Sequence, residues 1–190
     1  RAGVLEPESQ TGVEAGLDVL FGRRLTLHIT RFDQQASGLV QPVATMTTYA
    51  TSTGRSRTMT YTLDNVGAIG NHGWEVEAGT SAGAFTVSAA ASLVDSRVHR
   101  LASGYRGDLR VGDRMLDVPA RTLSLNAGYT LGRWQLNGTV THAADWIGYD
   151  RLAITTALND TSREHELSGA QLRSYWRSYD QLTRVRATVQ

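Results

Sequence analysis

The stretch from Val118 to Trp146 constrains the possible fold more than any other part of this sequence. Apolar and polar residues alternate through its two arms, and a short turn around Gly132 joins them. Alternation with a period of two on both sides of a glycine turn predicts a β-hairpin. Each arm has about ten residues, whereas strands of globular proteins usually have about 5–6. A strand that crosses a bilayer needs about 9–11 residues, so we interpret the hairpin as part of a transmembrane β-barrel wall.

The same alternation recurs along the chain and predicts an all-β fold, an antiparallel meander of about seven long strands. Short turns alternate with three long polar loops at 37–57, 95–117 and 147–173. Barrels of the bacterial outer membrane have this rhythm, because their periplasmic turns are short and their extracellular loops are long. Such barrels have an even number of strands, from eight upward, and an open sheet edge is not viable in lipid. The seven strands are therefore expected to form a partial barrel wall.

Three glycines interrupt the third predicted strand, which we place at 58–79. They are Gly67, Gly70 and Gly73. Glycine inside a strand usually marks a bulge, or a place where neighbouring backbone or side chains come close. We therefore expect irregular pairing in this part of the sheet.

Composition excludes several classes of protein. The chain has no cysteine, so disulfides and thiolate metal sites are excluded, and its formal net charge of +1 argues against nucleic-acid binding. No apolar run approaches the roughly 18 residues of a transmembrane helix. The five histidines are scattered without a metal-binding spacing, so we expect neither a metal site nor a cofactor. The chain opens on Arg1 without a signal peptide, so we expect it to be cut from something longer.

Three segments, in order, resemble the C-terminal barrel region of TonB-dependent outer-membrane receptors. Leu5–Val40 is similar to a strand pair of that family, and Asn65–Gly79 is similar to its "NVG…N.G.E.E" strand. Val118–His142 is similar to its "P.H.L.L…Y" strand and the strand that follows. The chain departs from the family pattern at Arg121, where His is frequent, and at Arg31, where Tyr is frequent.

The resemblance implies that residues 1–190 are a C-terminal portion of the barrel, without the plug domain, the earlier strands and the last strands. It implies residence in the lipid of the bacterial outer membrane. It also implies energy-coupled uptake of a scarce, bulky nutrient, most often a ferric siderophore, with the plug and TonB as partners in the full-length protein. Importers of siderophores, haem, cobalamin and glycans share this barrel, so the ligand itself stays open.

Aromatic and arginine residues in and beside the long loops are candidates for ligand binding. Arginine and aromatic rings could hold an anionic iron chelate by charge and stacking. The same residues also fit ordinary solvated loop positions or an interfacial girdle. The candidates are Tyr105, Arg106, Arg110, Tyr149, Tyr175 and Trp176.

Two further sets of residues have expected positions in a barrel wall. Aromatic residues near strand ends are typical of the girdles at membrane interfaces; here they are Tyr129, Trp134 and Trp146. Charged residues on the polar face are expected to face the lumen, where they pair with one another or with the plug. These are Glu75, Glu77, Arg184 and Arg186.

Two alternatives to a transporter remain open. One is a soluble all-β binding or adhesin module, in which the apolar face would pack against a second sheet. The other is an outer-membrane barrel enzyme, which would need a Ser or Asp within hydrogen-bond reach of His99 or His165. No nucleophile elbow accompanies either histidine, so we expect no catalytic residues. The apolar residues that distinguish barrel from sandwich include Leu123, Leu125, Leu136 and Val140.

Overall fold

The computed structural model describes residues 5–22, 24–160 and 169–190. Within these ranges the chain forms nine strands and two short helices. The strands are β1 (Ser9–Phe21), β2 (Leu25–Ser37), β3 (Val40–Thr51), β4 (Gly54–Asn65), β5 (Gly67–Ala82), β6 (Phe85–Leu101), β7 (Arg121–Leu131), β8 (Trp134–Tyr149) and β9 (Trp176–Val189). The helices are α1 (Arg151–Asn159) and a 3-10 helix (Gly169–Tyr175).

Seven of these strands form one antiparallel sheet in the order β1-β2-β5-β6-β7-β8-β9. This confirms the predicted meander of about seven long strands. The connections at 22–24, 83–84 and 132–133 are short, and they lie at one end of the sheet. The connections between β2 and β5, β6 and β7, and β8 and β9 are long and lie at the other end, as the rhythm of the sequence predicts.

The register defines rows of side chains that lie on the same face of the sheet, because direct cross-strand partners point the same way. One such row crosses all seven strands and contains only apolar residues. Its members are Val19, Leu27, Ala78, Ala89, Leu125, Val140 and Val185. This face is therefore a continuous apolar band.

The apolar band is open to the surroundings. Leu123, Leu125 and Leu136 are 46%, 41% and 40% exposed, so no second sheet covers them in the described part of the chain. A soluble sandwich would bury these side chains in its core. The alternative of a sandwich is therefore wrong, and the band fits a surface that contacts lipid.

The opposite face is polar over the same strands. The row directly beside the apolar one holds Asp18, His28, Glu77, Ala90, Ser124, Thr141 and Arg184. Side chains on this face bond to one another across strands, for example Ser92 with Thr122 at 3.0 Å between hydroxyl oxygens. A wet face behind an apolar face is the arrangement of a barrel with a polar interior.

Aromatic residues lie at both ends of the band. Near the short turns, the rings of Phe85 and Tyr129 stack at 4.3 Å; near the long connections, those of Trp146 and Tyr179 stack at 5.3 Å. Trp134 and Trp146 are at opposite ends of β8. At about 3.4 Å per residue and a tilt of about 40°, they are separated by about 30 Å across the membrane. This spacing suits two interfacial girdles, and contact of these rings with headgroups stays a prediction.

The first long connection differs from the predicted polar loop at 37–57. It is a hairpin, with β3 and β4 paired from Val40↔Asn65 to Thr51↔Gly54. Its first strand, β3, was missed because its threonine-rich sequence favours strands without giving a regular apolar/polar alternation. β4 does alternate from Thr58 to Leu63, and this part falls inside the predicted strand at 58–79. The predicted strand at 58–79 is consequently two strands, which are divided at the fully buried Val66.

The irregular pairing expected around the glycines of β5 is confirmed. The register with β6 shifts between Ala68 and Ile69, and Gly67 has a φ of +132°, a value that favours glycine. A Cβ atom at Gly73 would lie 2.1 Å from the carbonyl oxygen of Leu93. Glycine at these two positions therefore lets β5 and β6 approach closely.

The other long connections begin later than predicted, because β6 continues to Leu101 and β8 to Tyr149. The second is therefore irregular chain at 102–120. The third contains α1, whose first turn is capped by the Asp150 carboxylate accepting from the Ala153 amide at 3.0 Å, and then the 3-10 helix. Its residues 161–168 lie outside the described ranges. Neither described helix is long and apolar enough to cross a membrane.

Candidate functional site

The long connections pack together into one body, which we call the loop cluster. It consists of the β3–β4 hairpin, residues 102–120, α1 and the 3-10 helix. Leu109 and Met115 of the second connection pack against Val66, Ile69 and Val98. Ile69 and Val98 are cross-strand partners on the polar face of the sheet. The second connection is therefore folded over the polar face, on the side opposite the apolar band.

A second apolar contact joins the hairpin to the third connection. Ala44 of β3 and Leu172 of the 3-10 helix are both buried in it. Around them pack Met59, Tyr149, Ile154, Ala157, Leu158 and Tyr175. Burial of this kind fixes the position of α1 and the 3-10 helix against the hairpin.

A buried carboxylate connects the second connection to the end of the sheet. Asp108 is only 7% exposed. Its Oδ2 atom accepts hydrogen bonds from the Tyr149 hydroxyl and from the Trp176 indole Nε1, each at 2.6 Å. Hydrogen bonds to an ionised acceptor are stronger than those between neutral groups, so Asp108 holds the two rings in fixed positions.

Arg173 of the 3-10 helix forms the second link. Both terminal nitrogens of its guanidinium donate to the carboxylate of Asp113, one of them at 2.8 Å to Oδ1. It also donates to the Asp108 carbonyl oxygen at 3.1 Å and lies 4.3 Å over the ring of Trp176. A bidentate ion pair of this kind between guanidinium and carboxylate is both strong and directional. We call the contacts of Asp108, Asp113 and Arg173 the loop latch.

The ion pair of the latch has a pH dependence with a definite sign. The hydrogen bonds from Arg173 lower the pKa of Asp113 below its ordinary 3.8, against an opposing effect of burial. The pKa of Arg173 is raised for the same reason. A lowered carboxyl pKa stabilises the folded state fully above pH 3.8, and this stability is lost as the pH falls through the lowered value.

We therefore expect acid to loosen the second connection. Pepsin cleavage within 102–120, normalised to an unstructured peptide, should accelerate as the pH falls below about 4. In Asp113→Asn the cleavage should already be fast at the upper end of this range and should change less. Equal pH profiles for the two proteins would show that the Asp113 carboxyl does not control the latch.

The loop cluster encloses a cleft of about 650 Å³ between the hairpin, the second connection and the two helices. Three phenol rings, those of Tyr61, Tyr105 and Tyr149, line it together with the Asp108 carboxyl group. Burial of the phenol raises the pKa of Tyr105 to about 12, so this group is neutral in the physiological range. The aliphatic and thioether part of the lining includes Met59, Leu109, Leu116, Ile154, Leu158 and Leu172.

The structure brings some of the predicted ligand-binding residues together and separates others. Tyr105 and Tyr175 belong to the loop cluster, and Tyr149 and Trp176 pack against it from the ends of β8 and β9. Arg106 and Arg110 are exposed and do not line the cleft. Within the described ranges their side chains form no hydrogen bond or ion pair. Sequence reasoning missed the Asp108, Asp113 and Arg173 latch, since nothing in the spacing of these residues indicates that they meet.

The charged residues predicted to face the lumen lie on the polar face, but at different places. Glu75 and Glu77 are on β5, whereas Arg184 and Arg186 are on β9, with β6, β7 and β8 between them. In the part of the chain that the structure describes, no ion pair joins the two sets. Pairing of these residues with a plug domain stays a prediction.

No arrangement for catalysis or metal binding is found in the described residues. His99 has no hydrogen bond to a Ser or Asp there, and His165 lies outside the described ranges. No group of three His, Asp or Glu side chains within those ranges is placed to hold a metal ion.

A long-stranded antiparallel sheet with an exposed apolar band on one face, a polar face behind it and long connections at one end defines the wall of a transmembrane β-barrel. The chain belongs to the TonB-dependent receptor-like β-barrel family, whose model matches residues 1–190. Proteins of this family reside in the bacterial outer membrane and are not enzymes, which confirms both expectations.

Solved structures of transporters share this fold. The copper transporter OprC matches 97% of this chain at 12% identity with a TM-score of 0.54, and the chain covers 24% of it. The apoprotein form of the FrpB iron transporter from Neisseria meningitidis (F5-1 variant) matches 95% at 15% identity with a TM-score of 0.50, and the chain again covers 24% of it. The F3-3 variant of FrpB matches 76% at 17% identity with a TM-score of 0.47, with 20% of it covered.

The chain thus spans about a quarter or less of the length of these transporters. At identities this low the likeness concerns the fold alone. No curated protein matches the chain in sequence.

Proposed function

We propose that this chain forms the C-terminal part of the barrel wall of a TonB-dependent transporter that imports a scarce, bulky nutrient. A ferric siderophore is the ligand we favour. The whole transporter would also need a plug domain inside the barrel and TonB as the energy-transducing partner. The loop cluster would form part of the outer ligand site, and the polar face would line the import path.

The observation that carries this proposal is the two-sided wall together with the family match over residues 1–190. An apolar row across seven strands suits lipid, and the polar row beside it suits a hydrated interior. The loop cluster supports a role in ligand capture, since its long connections lie at the end of the sheet that faces outward in bacterial barrels.

Uptake by cells tests the proposal directly. The natural full-length protein that carries this chain is produced in a strain lacking its own siderophore receptors, and uptake of iron-55 is measured with a panel of ferric siderophores. We expect uptake of at least one chelate, with a loss of about tenfold or more when TonB is deleted or the proton gradient is collapsed.

Two outcomes would contradict the proposal in different ways. Uptake that persists without TonB would indicate a passive pore. Absence of energised uptake for every iron chelate, with TonB-dependent uptake of haem, cobalamin or a glycan, would replace the siderophore while keeping the transporter. Surface labelling identifies a protein that is inactive because it does not reach the outer membrane. Its expression is then adjusted until it is detected at the cell surface, and only then is uptake measured.

A further inference from the structure

We propose that the cleft of the loop cluster binds a ligand with an aromatic or apolar body and a positively charged nitrogen, and that Asp108 is its charged partner. This inference rests on the proposed function, because it assumes that ligands meet the loop cluster on their way into the barrel. It goes further by naming a charge class: siderophores or other nutrients that carry a positively charged nitrogen, in preference to polyanionic iron chelates.

The position of the Asp108 carboxylate is the first argument. The residue is 7% exposed, yet it lines the cleft. Both of its neutral donors, the Tyr149 hydroxyl and the Trp176 indole, bond to Oδ2. Within the described residues Oδ1 has no hydrogen-bond partner. A buried carboxylate oxygen without a donor is costly, and a ligand N–H group would satisfy it.

The balance of charge is the second argument. Arg173 donates to the Asp108 carbonyl oxygen but not to its carboxylate, because both of its terminal nitrogens bond to the carboxylate of Asp113. The rest of the charged lining consists of one carboxylate, Asp117, and one guanidinium, Arg151. Among the described residues, the negative charge of Asp108 therefore has no cation of its own bonded to its carboxylate. Buried charges in proteins are normally paired, so the cleft is complementary to a cation.

The walls of the cleft are the third argument. Tyr105 and Tyr149 present ring surfaces, and a cation near such a ring gains further stabilisation. The remaining lining is mostly aliphatic. A volume of about 650 Å³ lies within the range of about 300–1,000 Å³ that is usual for small-molecule sites. An amphipathic molecule with an aromatic body and one charged nitrogen matches the shape and the chemistry together.

The exposed arginines do not create a competing binding site for anions in this cleft. Arg106 and Arg110 come from the same connection as Asp108, but neither lines the cleft. Arg151 lines it from the first turn of α1, with its side chain exposed to solvent. A polyanionic chelate in the cleft would be repelled by the carboxylates of Asp108 and Asp117. It would be attracted only by the solvent-screened guanidinium of Arg151, so the cleft disfavours it.

Three probes that share one ring system test the charge class. They are tryptamine (cationic), tryptophol (neutral) and indole-3-acetate (anionic). Binding to the natural full-length protein in lipid nanodiscs is measured by titration calorimetry, with empty nanodiscs subtracted. We expect tryptamine to bind about tenfold or more tightly than tryptophol, which corresponds to one well-formed charged contact, and indole-3-acetate to bind more weakly than both.

Variants locate the binding in the cleft. Asp108→Asn keeps an acceptor for Tyr149 and Trp176 but removes the charge, so the preference for tryptamine over tryptophol should disappear. Thr155→Trp leaves Asp108 intact and fills the cleft from α1, so it should weaken tryptamine and tryptophol alike. Asp95→Asn removes a carboxylate that pairs with Arg97 outside the cleft and should change nothing.

The inference is overturned if tryptamine does not bind, if indole-3-acetate binds as tightly as tryptamine, or if Asp108→Asn leaves the preference for the cation intact. If Asp108→Asn does not fold, two measurements still test the inference: the order of the three probe affinities in the native protein, and the loss of binding in Thr155→Trp. Failure here, together with TonB-dependent uptake of an iron chelate, refutes the inference alone. Cation-selective binding without any energised uptake refutes the proposed function alone.

Discussion

Replacing Leu125 by arginine is expected to destabilise the folded barrel by about 2–4 kcal/mol, the cost of a cation on the lipid-facing side of a strand near the bilayer midplane. Leu125 is a member of the apolar row and is 41% exposed. In a bilayer this exposed surface contacts hydrocarbon, where a guanidinium has no partner. The midpoint of guanidinium-induced unfolding of the full-length protein in phospholipid bilayers, followed by tryptophan fluorescence, measures the effect.

Its neighbour Ser124 provides the matched control. Ser124 points to the polar face, where its cross-strand partners are Ala90 and Thr141. Arginine is compatible with a hydrated interior, so Ser124→Arg should cost less than about 1 kcal/mol. Similar costs at 124 and 125 would mean that the two faces see the same environment, which the barrel account does not allow.

Replacing Arg173 by methionine is expected to open the second connection while leaving the wall intact. The substitution keeps an apolar side chain near Trp176 but removes the partner of Asp113, whose side chain is 14% exposed. Breaking a fully buried pair costs about 3–5 kcal/mol. Because Arg173 is 29% exposed, we expect about 2 kcal/mol here. Hydrogen exchange in 102–118 should accelerate about thirtyfold.

A double mutant separates the ion pair from general disorder. In Asp113→Asn the carboxylate is already neutral, so adding Arg173→Met should cost much less than it does in the native protein. Exchange in β7 and β8 serves as the internal reference and should not change. Additive effects of the two substitutions, or faster exchange throughout the sheet, would show that Arg173 acts on stability without the latch.

The barrel wall was predictable from sequence because its alternating pattern of apolar and polar residues is visible within each single strand. A lipid face and a wet face impose a period of two on every strand, and the pattern of Leu123 and Leu125 against Ser124 and Asn126 carries that signal directly. The β3–β4 hairpin was not predictable in this way. Its first strand, β3, has no regular alternation of apolar and polar residues, so the sequence does not distinguish it from a polar loop. The alternating part of β4, from Thr58 to Leu63, reads as the beginning of the next strand.

The loop cluster was only half predictable. Aromatic residues beside the long connections drew attention to Tyr105, Tyr149 and Trp176. Tyr149 and Trp176 do share the Asp108 carboxylate, and Tyr105 lines the same cleft as Tyr149. Their partner Asp108 is 41 residues from Tyr149 in sequence, and no short motif connects them. A contact of this kind depends on where folded connections cross in space, which sequence periodicity does not encode.

Attachment of a spin label along β7 tests the central claim most directly. These 190 residues have no cysteine. Single cysteines are placed at 123 to 127 in turn in a full-length protein without other reactive cysteines, and they are labelled in bilayers. The account predicts that labels at 123, 125 and 127 are accessible to dissolved oxygen, which concentrates in lipid. Labels at 124 and 126 should instead be accessible to a water-soluble nickel chelate. Water accessibility at 123, 125 and 127, or burial of all five positions from both reagents, would contradict the account.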